Sequence, residues 1–95
     1  MTMIIEMLRK HEGVETHAYV DSVGKVTIGI GRNIDSVGGI GLSDDEIDHL
    51  LANDLQRVEA ELLQAFEWYE DLNDARKDAM IDVLFNLGVA RFIFF

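Results

Sequence analysis

Glycine placement constrains this chain most. Seven of its eight glycines fall in residues 13–41, and none lies between Leu42 and Leu87. Proline is absent throughout. Glycine marks turns and positive-φ positions, and proline is the strongest helix breaker. The pattern therefore predicts turns and short strands in the first half and uninterrupted helix in the second. At 95 residues the chain has the size of one domain. A chain of that length buries only about 60–65% of its unfolded surface.

The first helix is expected over residues 2–11, with Thr2 as cap and Ile4, Met7 and Leu8 on one face. Gly13 is its stop. Thr16-His-Ala-Tyr-Val20 reads as a strand, Asp21-Ser-Val-Gly-Lys25 as a turn with Gly24 at positive φ, and Val26-Thr-Ile-Gly-Ile30 as a second, β-branched strand. Together they predict a hairpin. Residues 36–41 hold three glycines and are expected as a mobile loop.

Ser43-Asp-Asp-Glu46 fits a capping box, with acids suited to a helix N-terminus. Behind it Ile47, Leu50, Leu51, Leu55, Val58, Leu62 and Phe66 keep a helical period to about Ala65. A further helix is expected from about Asn73 to Leu87, capped by Asn73 or Asp74. Its apolar stripe would be Ala79, Met80, Val83, Leu84 and Leu87, with Gly88 as its end. The last residues, Val89-Ala-Arg-Phe-Ile-Phe-Phe95, finish on three large apolar side chains.

Charge narrows the function classes. The net charge is −10, and residues 43–95 carry thirteen acids against four bases. Non-specific nucleic-acid binding and attraction to anionic membranes need the opposite sign. With no cysteine, thiolate metal sites and thiol nucleophiles are excluded. Neither a signal peptide nor a membrane span is legible, so synthesis in a cytoplasm is expected. Gly29-Ile-Gly31 lacks the third glycine of a dinucleotide fingerprint, because position 34 is Ile34. Residues 35–46 have EF-hand length, but Val37 and Gly39 replace oxygen donors. His11, His17 and His49 lack ligand spacing. Trp68 and Tyr69 could stack on a sugar, but packing between two helices is the commoner role.

Glu12, Asp21 and Thr27 are the residues that could carry chemistry. Glu12 ends the first helix, and the hairpin makes Asp21 and Thr27 neighbours across the ladder, ~4.5–5.5 Å apart at Cα if directly paired. Two carboxylates flanking a cleft suit glycosidic hydrolysis: one donates a proton to the leaving oxygen, the other activates water or steadies a cationic sugar. A hydroxyl beside the second carboxylate can hold that water. From spacing alone the plainer reading is favoured, with Glu12 a helix-end charge, Asp21 a turn former and Thr27 a strand residue.

A wider pattern reverses that preference. Glu12-Gly13 at a helix end, Tyr19-Val-Asp21 and Thr27-Ile-Gly-Ile-Gly31 resemble, in order and spacing, the phage-type lysozymes, muramidases of glycoside hydrolase family 24. Leu72, Arg76, Ala79 and Phe85-Asn-Leu-Gly88, followed by Phe92, resemble the family's later helix. The resemblance implies an α+β, lysozyme-like single domain over residues 1–95. A β-hairpin and loop lobe would occupy residues 13–42, and an incomplete helical lobe residues 43–95. It implies hydrolysis of the β-1,4 bond between N-acetylmuramic acid and N-acetylglucosamine in peptidoglycan. Glu12 would be the general acid, and Asp21 with Thr27 would activate water. The best-known members invert configuration, and others retain it. Asn86 matches a position that borders the sugar groove in some relatives. No metal or cofactor is implied, and action on the cell wall would follow release from the host cytoplasm.

Two departures accompany the likeness. The family pattern continues with several more helices, so the last helices here are expected to leave apolar faces open for self-association or a partner. Many members are basic, whereas this chain is acidic. The competing expectation is a non-enzymatic lysozyme remnant that binds protein through those faces.

Overall fold

The computed structural model describes residues 2–87. The order is α1 (Thr2–Glu12), β1 (Glu15–Val20), β2 (Val26–Gly29), β3 (Arg32–Asn33), α2 (Asp44–Ala65), a 3₁₀ turn (Glu67–Asp71) and α3 (Asp74–Leu87). Three helices and a small antiparallel sheet make the chain α+β, as expected. It divides into two compact units, Met1–Ser43 and Asp44–Phe95.

In the first unit, α1 ends where its sequence says it should. Arg9, Lys10 and His11 crowd its last turn, against the negative end of the helix dipole. Gly13 takes φ +76° and donates its N–H to the Arg9 carbonyl at 3.0 Å, which stops the helix and turns the chain into β1. The sheet order is β1-β2-β3. Tyr19 pairs with Thr27 and Val20 with Val26, while Glu15 pairs with Gly29, so β1 carries extra residues between Glu15 and Tyr19.

The hairpin turn corrects one expectation. Asp21 is not directly opposite Thr27, because Tyr19 holds that place. The Asp21 N–H donates to the Lys25 carbonyl at 2.9 Å, and the Lys25 N–H donates to Asp21 Oδ1 at 2.8 Å. These bonds close the turn around residues 22–24 and set Asp21 against Lys25. Asp21 and Thr27 are therefore diagonal rather than facing neighbours. Gly24 sits at φ +85°, as expected.

The third strand was not legible in advance. It has only two residues, with Thr27 paired to Asn33 and Ile28 to Arg32. Residues 36–41, expected as mobile, belong to a well-bonded loop. Asp35 Oδ1 accepts the Val26 N–H at 3.0 Å and Oδ2 accepts the Val37 N–H at 3.1 Å. Lys25 Nζ donates to the Val37 carbonyl at 3.1 Å. The Ile40 N–H reaches the Asn33 carbonyl at 2.9 Å, and Arg32 donates to the Gly41 carbonyl at 3.0 Å. Gly39 lies so close to Asp35 that a Cβ there would meet its backbone O and N at 2.4 and 2.5 Å. The chain can cross itself at that point only with glycine.

In the second unit, Ser43 immediately precedes α2, and Asp44, Asp45 and Glu46 occupy the first turn. Asn73 caps α3, with Oδ1 accepting the Arg76 N–H at 2.9 Å. The core is Leu62, Tyr69 and Leu84, with Val58, Phe66, Leu72, Met80 and Ile81 packed against it. Periodicity placed Met80 and Leu84 on the buried side of α3, as found, and misjudged the rest of that side. Ile81 faces the core, whereas Val83 is exposed and Ala79 lies outside the core. On α2 only the C-terminal part of the apolar stripe is used, and Ile47, Leu50, Leu51 and Leu55 stay exposed. Between the two adjacent aromatics the division is sharp. Tyr69 is fully buried, while Trp68 is exposed and stacks on Phe66 at 4.9 Å between ring centroids. Gly88, Phe92 and the apolar tail lie outside the described residues.

Candidate active site

Three of the four expected site residues, Glu12, Asp21 and Thr27, lie in the first unit. The fourth, Asn86, lies on α3 in the second. Glu12 is the last residue of α1 and is exposed. Its position follows from two local features. Gly13 turns the chain so that β1 can begin, and the Glu15–Gly29 pair then brings the end of β2 beside the end of α1. The Glu12 carboxylate lies against the turn after β2. A Cβ built on Gly31 would stand 2.8 Å from Glu12 Oε2 and 3.3 Å from its carboxyl carbon. Gly31 itself has φ +68°. No ion pair or hydrogen bond from a described residue engages that carboxylate.

Asp21 is half-buried and is held by its turn. Oδ1 accepts two backbone N–H groups, from Val23 at 3.0 Å and Lys25 at 2.8 Å. Both bonds use one oxygen, and among the described residues none engages Oδ2. Thr27 is only 3% exposed. Its hydroxyl donates to the Lys25 carbonyl at 3.0 Å, the same carbonyl that accepts the Asp21 N–H. With its proton committed, Thr27 Oγ1 has only lone pairs to offer a further partner. Asp21 and Thr27 are thus joined through one backbone group, which fixes their spacing without direct strand pairing.

Behind them stands a carboxylate that the sequence reading passed over. The N–H donors of Val26 and Val37 hold the Asp35 carboxyl below the ordinary 3.8; burial opposes this, and the nearby Lys25 ammonium adds to it. Lys25 Nζ lies 3.9 Å from Asp35 Oδ2. Asp35 ties the loop to the first residue of β2 and so supports the strand that carries Thr27. Its sequence signal was an aspartate two residues after an asparagine, a pattern that favours side-chain-to-backbone turns. Asn33 Oδ1 does accept the Asp35 N–H at 2.9 Å. Gly31 was read as part of an incomplete nucleotide fingerprint and as the last glycine of the Thr27-Ile-Gly-Ile-Gly31 pattern, without a role of its own. Its place beside Glu12 depends on a pairing that no local pattern reports.

Asn86 is exposed, and its amide reaches back to the Asp82 carbonyl of its own helix at 3.5 Å. Among the described residues no group of three or more acidic or imidazole side chains is arranged to hold a metal ion. None of the described helices is long and apolar enough to cross a membrane.

Comparison with known proteins adds the family. A sequence model of phage lysozyme matches residues 9–93. The endolysin of Salmonella phage P22 is 32% identical over 93 aligned residues, covering 93% of this chain and 62% of that protein. The chain therefore spans less than two thirds of that relative's length. A family match over nearly all of the chain, joined to a helix-end glutamate packed on a glycine turn beside a small antiparallel sheet, places this protein in the phage lysozyme family.

Proposed function

We propose that this protein is a peptidoglycan-hydrolysing endolysin, cutting the β-1,4 bond between N-acetylmuramic acid and N-acetylglucosamine. Glu12 is the general acid that protonates the leaving glycosidic oxygen. Asp21 is the base that activates water, and Thr27 helps place it. The observation that carries this reading is the set of contacts around the small sheet. Glu12 is packed on Gly31 and has no hydrogen-bond or ion-pair partner among the described residues, while Asp21 and Thr27 share the Lys25 carbonyl. The chemistry follows from the bonding. Asp21 spends one oxygen on its turn and keeps the other for water. Thr27, whose hydroxyl hydrogen is engaged by the Lys25 carbonyl, accepts a hydrogen bond from that water and so turns the water's lone pair toward the sugar. Synthesis in an infected host cell and action on the wall after release belong to the same reading.

The test is clearing of purified peptidoglycan by the wild type and by Glu12→Gln. The expected loss is at least about 100-fold, the lower end of what a positioned general acid contributes. Equal clearing by the two would remove the assignment.

A second reading has its own observation. Leu51, Leu55, Ile81 and Phe85 form the apolar floor of an open groove of about 490 Å³ between α2 and α3, edged by Glu59, Asp78 and Asp82. Exposed apolar surface of this kind supports a lysozyme-derived module that pairs with itself. Because the edge is acidic, such pairing would strengthen as salt screens the repulsion. Light scattering across a salt series distinguishes it: a monomer at every ionic strength rules it out.

A further inference from the structure

Resting on that functional reading, we infer that Gly31 is a positioning residue for Glu12: its bare α-carbon is the surface on which the catalytic carboxylate sits. Two independent facts meet at this position. The backbone is in the left-handed region, at φ +68°, where glycine is the ordinary choice. The space a side chain would fill is already taken, because a Cβ would stand 2.8 Å from Glu12 Oε2, 3.3 Å from Cδ and 3.5 Å from Cγ. A contact of 2.8 Å between carbon and oxygen is well inside van der Waals range, so one of the two must yield.

Which one yields decides the role. Gly31 is fixed by the turn between β2 and β3, whose pairs Ile28–Arg32 and Thr27–Asn33 lie on either side. Glu12 is an exposed, long side chain that no described residue holds by a hydrogen bond. A methyl group at position 31 therefore displaces the carboxylate and leaves the sheet in place. A shift of about 1 Å at a catalytic group can cost about 100-fold in rate. An effect of this kind appears in activity far more than in stability.

The fold contains its own control. Gly29 has nearly the same φ, +70°, but nothing lies within 4 Å of the Cβ it would carry. Alanine there is likewise forced to a left-handed φ, without touching Glu12. The left-handed φ is common to the two positions, and the displacement is peculiar to one.

The experiment compares wild type, Gly31→Ala and Gly29→Ala. Thermal unfolding should fall by similar amounts in the two variants. In peptidoglycan hydrolysis Gly31→Ala should lose about 100-fold in kcat with KM little changed, while Gly29→Ala stays within about threefold of wild type. A Gly31→Ala enzyme as active as Gly29→Ala would overturn the inference. A second readout does not require turnover: the carbon-13 resonance of the Glu12 carboxyl, assigned by its loss in Glu12→Gln. It should move in Gly31→Ala and hold in Gly29→Ala. Equal movement in both variants would overturn the inference. If the wild type hydrolyses no peptidoglycan, the functional reading fails, and the resonance alone decides whether Gly31 positions Glu12.

Discussion

Asp21 and Lys25 are bonded twice, backbone N–H to carbonyl at 2.9 Å and side-chain Oδ1 to backbone N–H at 2.8 Å. The same carboxylate that would activate water therefore also builds the turn that presents it. Its two functions separate by substitution. Asp21→Asn keeps an oxygen acceptor at Oδ1, so its unfolding midpoint should stay near wild type while hydrolysis is lost. Asp21→Ala removes the bonds from Val23 and Lys25 and should lose about 1–2 kcal/mol as well. Denaturant titration of both variants checks this, and equal destabilisation by the two would count against a structural role for Oδ1.

Asp35 predicts how the first unit responds to acid. Its carboxyl is held below the ordinary 3.8 chiefly by the Val26 and Val37 N–H groups. A depressed folded-state pKa contributes stability above the unfolded value, and that contribution is lost as pH falls through the folded one. Asp35→Asn should therefore be less stable than wild type at neutral pH, and the gap should close below about pH 4. Thermal unfolding followed by circular dichroism at pH 7 and pH 3 measures it. A gap that is constant with pH would show that the charge of Asp35 is not what holds the loop.

Leu84 and Phe85 are adjacent but differ in burial. Leu84 is 1% exposed in the core of the second unit, and Phe85 is 41% exposed on the groove. Size alone would make Phe85 the more costly truncation. Burial reverses the order. Leu84→Ala should lose about 2–4 kcal/mol and Phe85→Ala about 1 kcal/mol or less. Urea midpoints for the two variants decide it.

Tyr69 is fully buried, and its hydroxyl has no hydrogen-bond partner among the described residues. A buried hydroxyl without a partner costs about 1–3 kcal/mol, so Tyr69→Phe should stabilise the protein by about 1 kcal/mol. The ring stays, and with it the contact to Lys77 Nζ, 5.6 Å from the ring centroid. Burial first, then the Glu59 and Asp78 charges, raise this phenol above its ordinary 10.0. A raised folded-state value gives stability that is complete below the unfolded pKa and declines as pH rises through the folded one. The advantage of Tyr69→Phe should therefore grow above about pH 10. Unfolding at pH 7 and pH 10.5 tests both parts.

What could be read from the chain alone and what could not divide along a physical line. The end of α1 at Gly13, the Gly24 turn and the Asn73 cap were all legible. Each rests on bonds between residues no more than four apart, where side-chain chemistry and backbone conformation act locally. Glu12, Asp21 and Thr27 were singled out for the proposed chemistry because they stand in register within a family pattern. The diagonal placing of Asp21 and Thr27 was not, since it depends on which residues pair across the hairpin. Nor was the choice of Ile81 over Val83, or of Tyr69 over Trp68, for burial. An apolar stripe shows that a face will be covered, and the element that arrives to cover it sets the angle. Gly31 belongs to the same class. Its glycine is demanded by Glu12, nineteen positions away, and contacts across such distances form only when the whole unit folds.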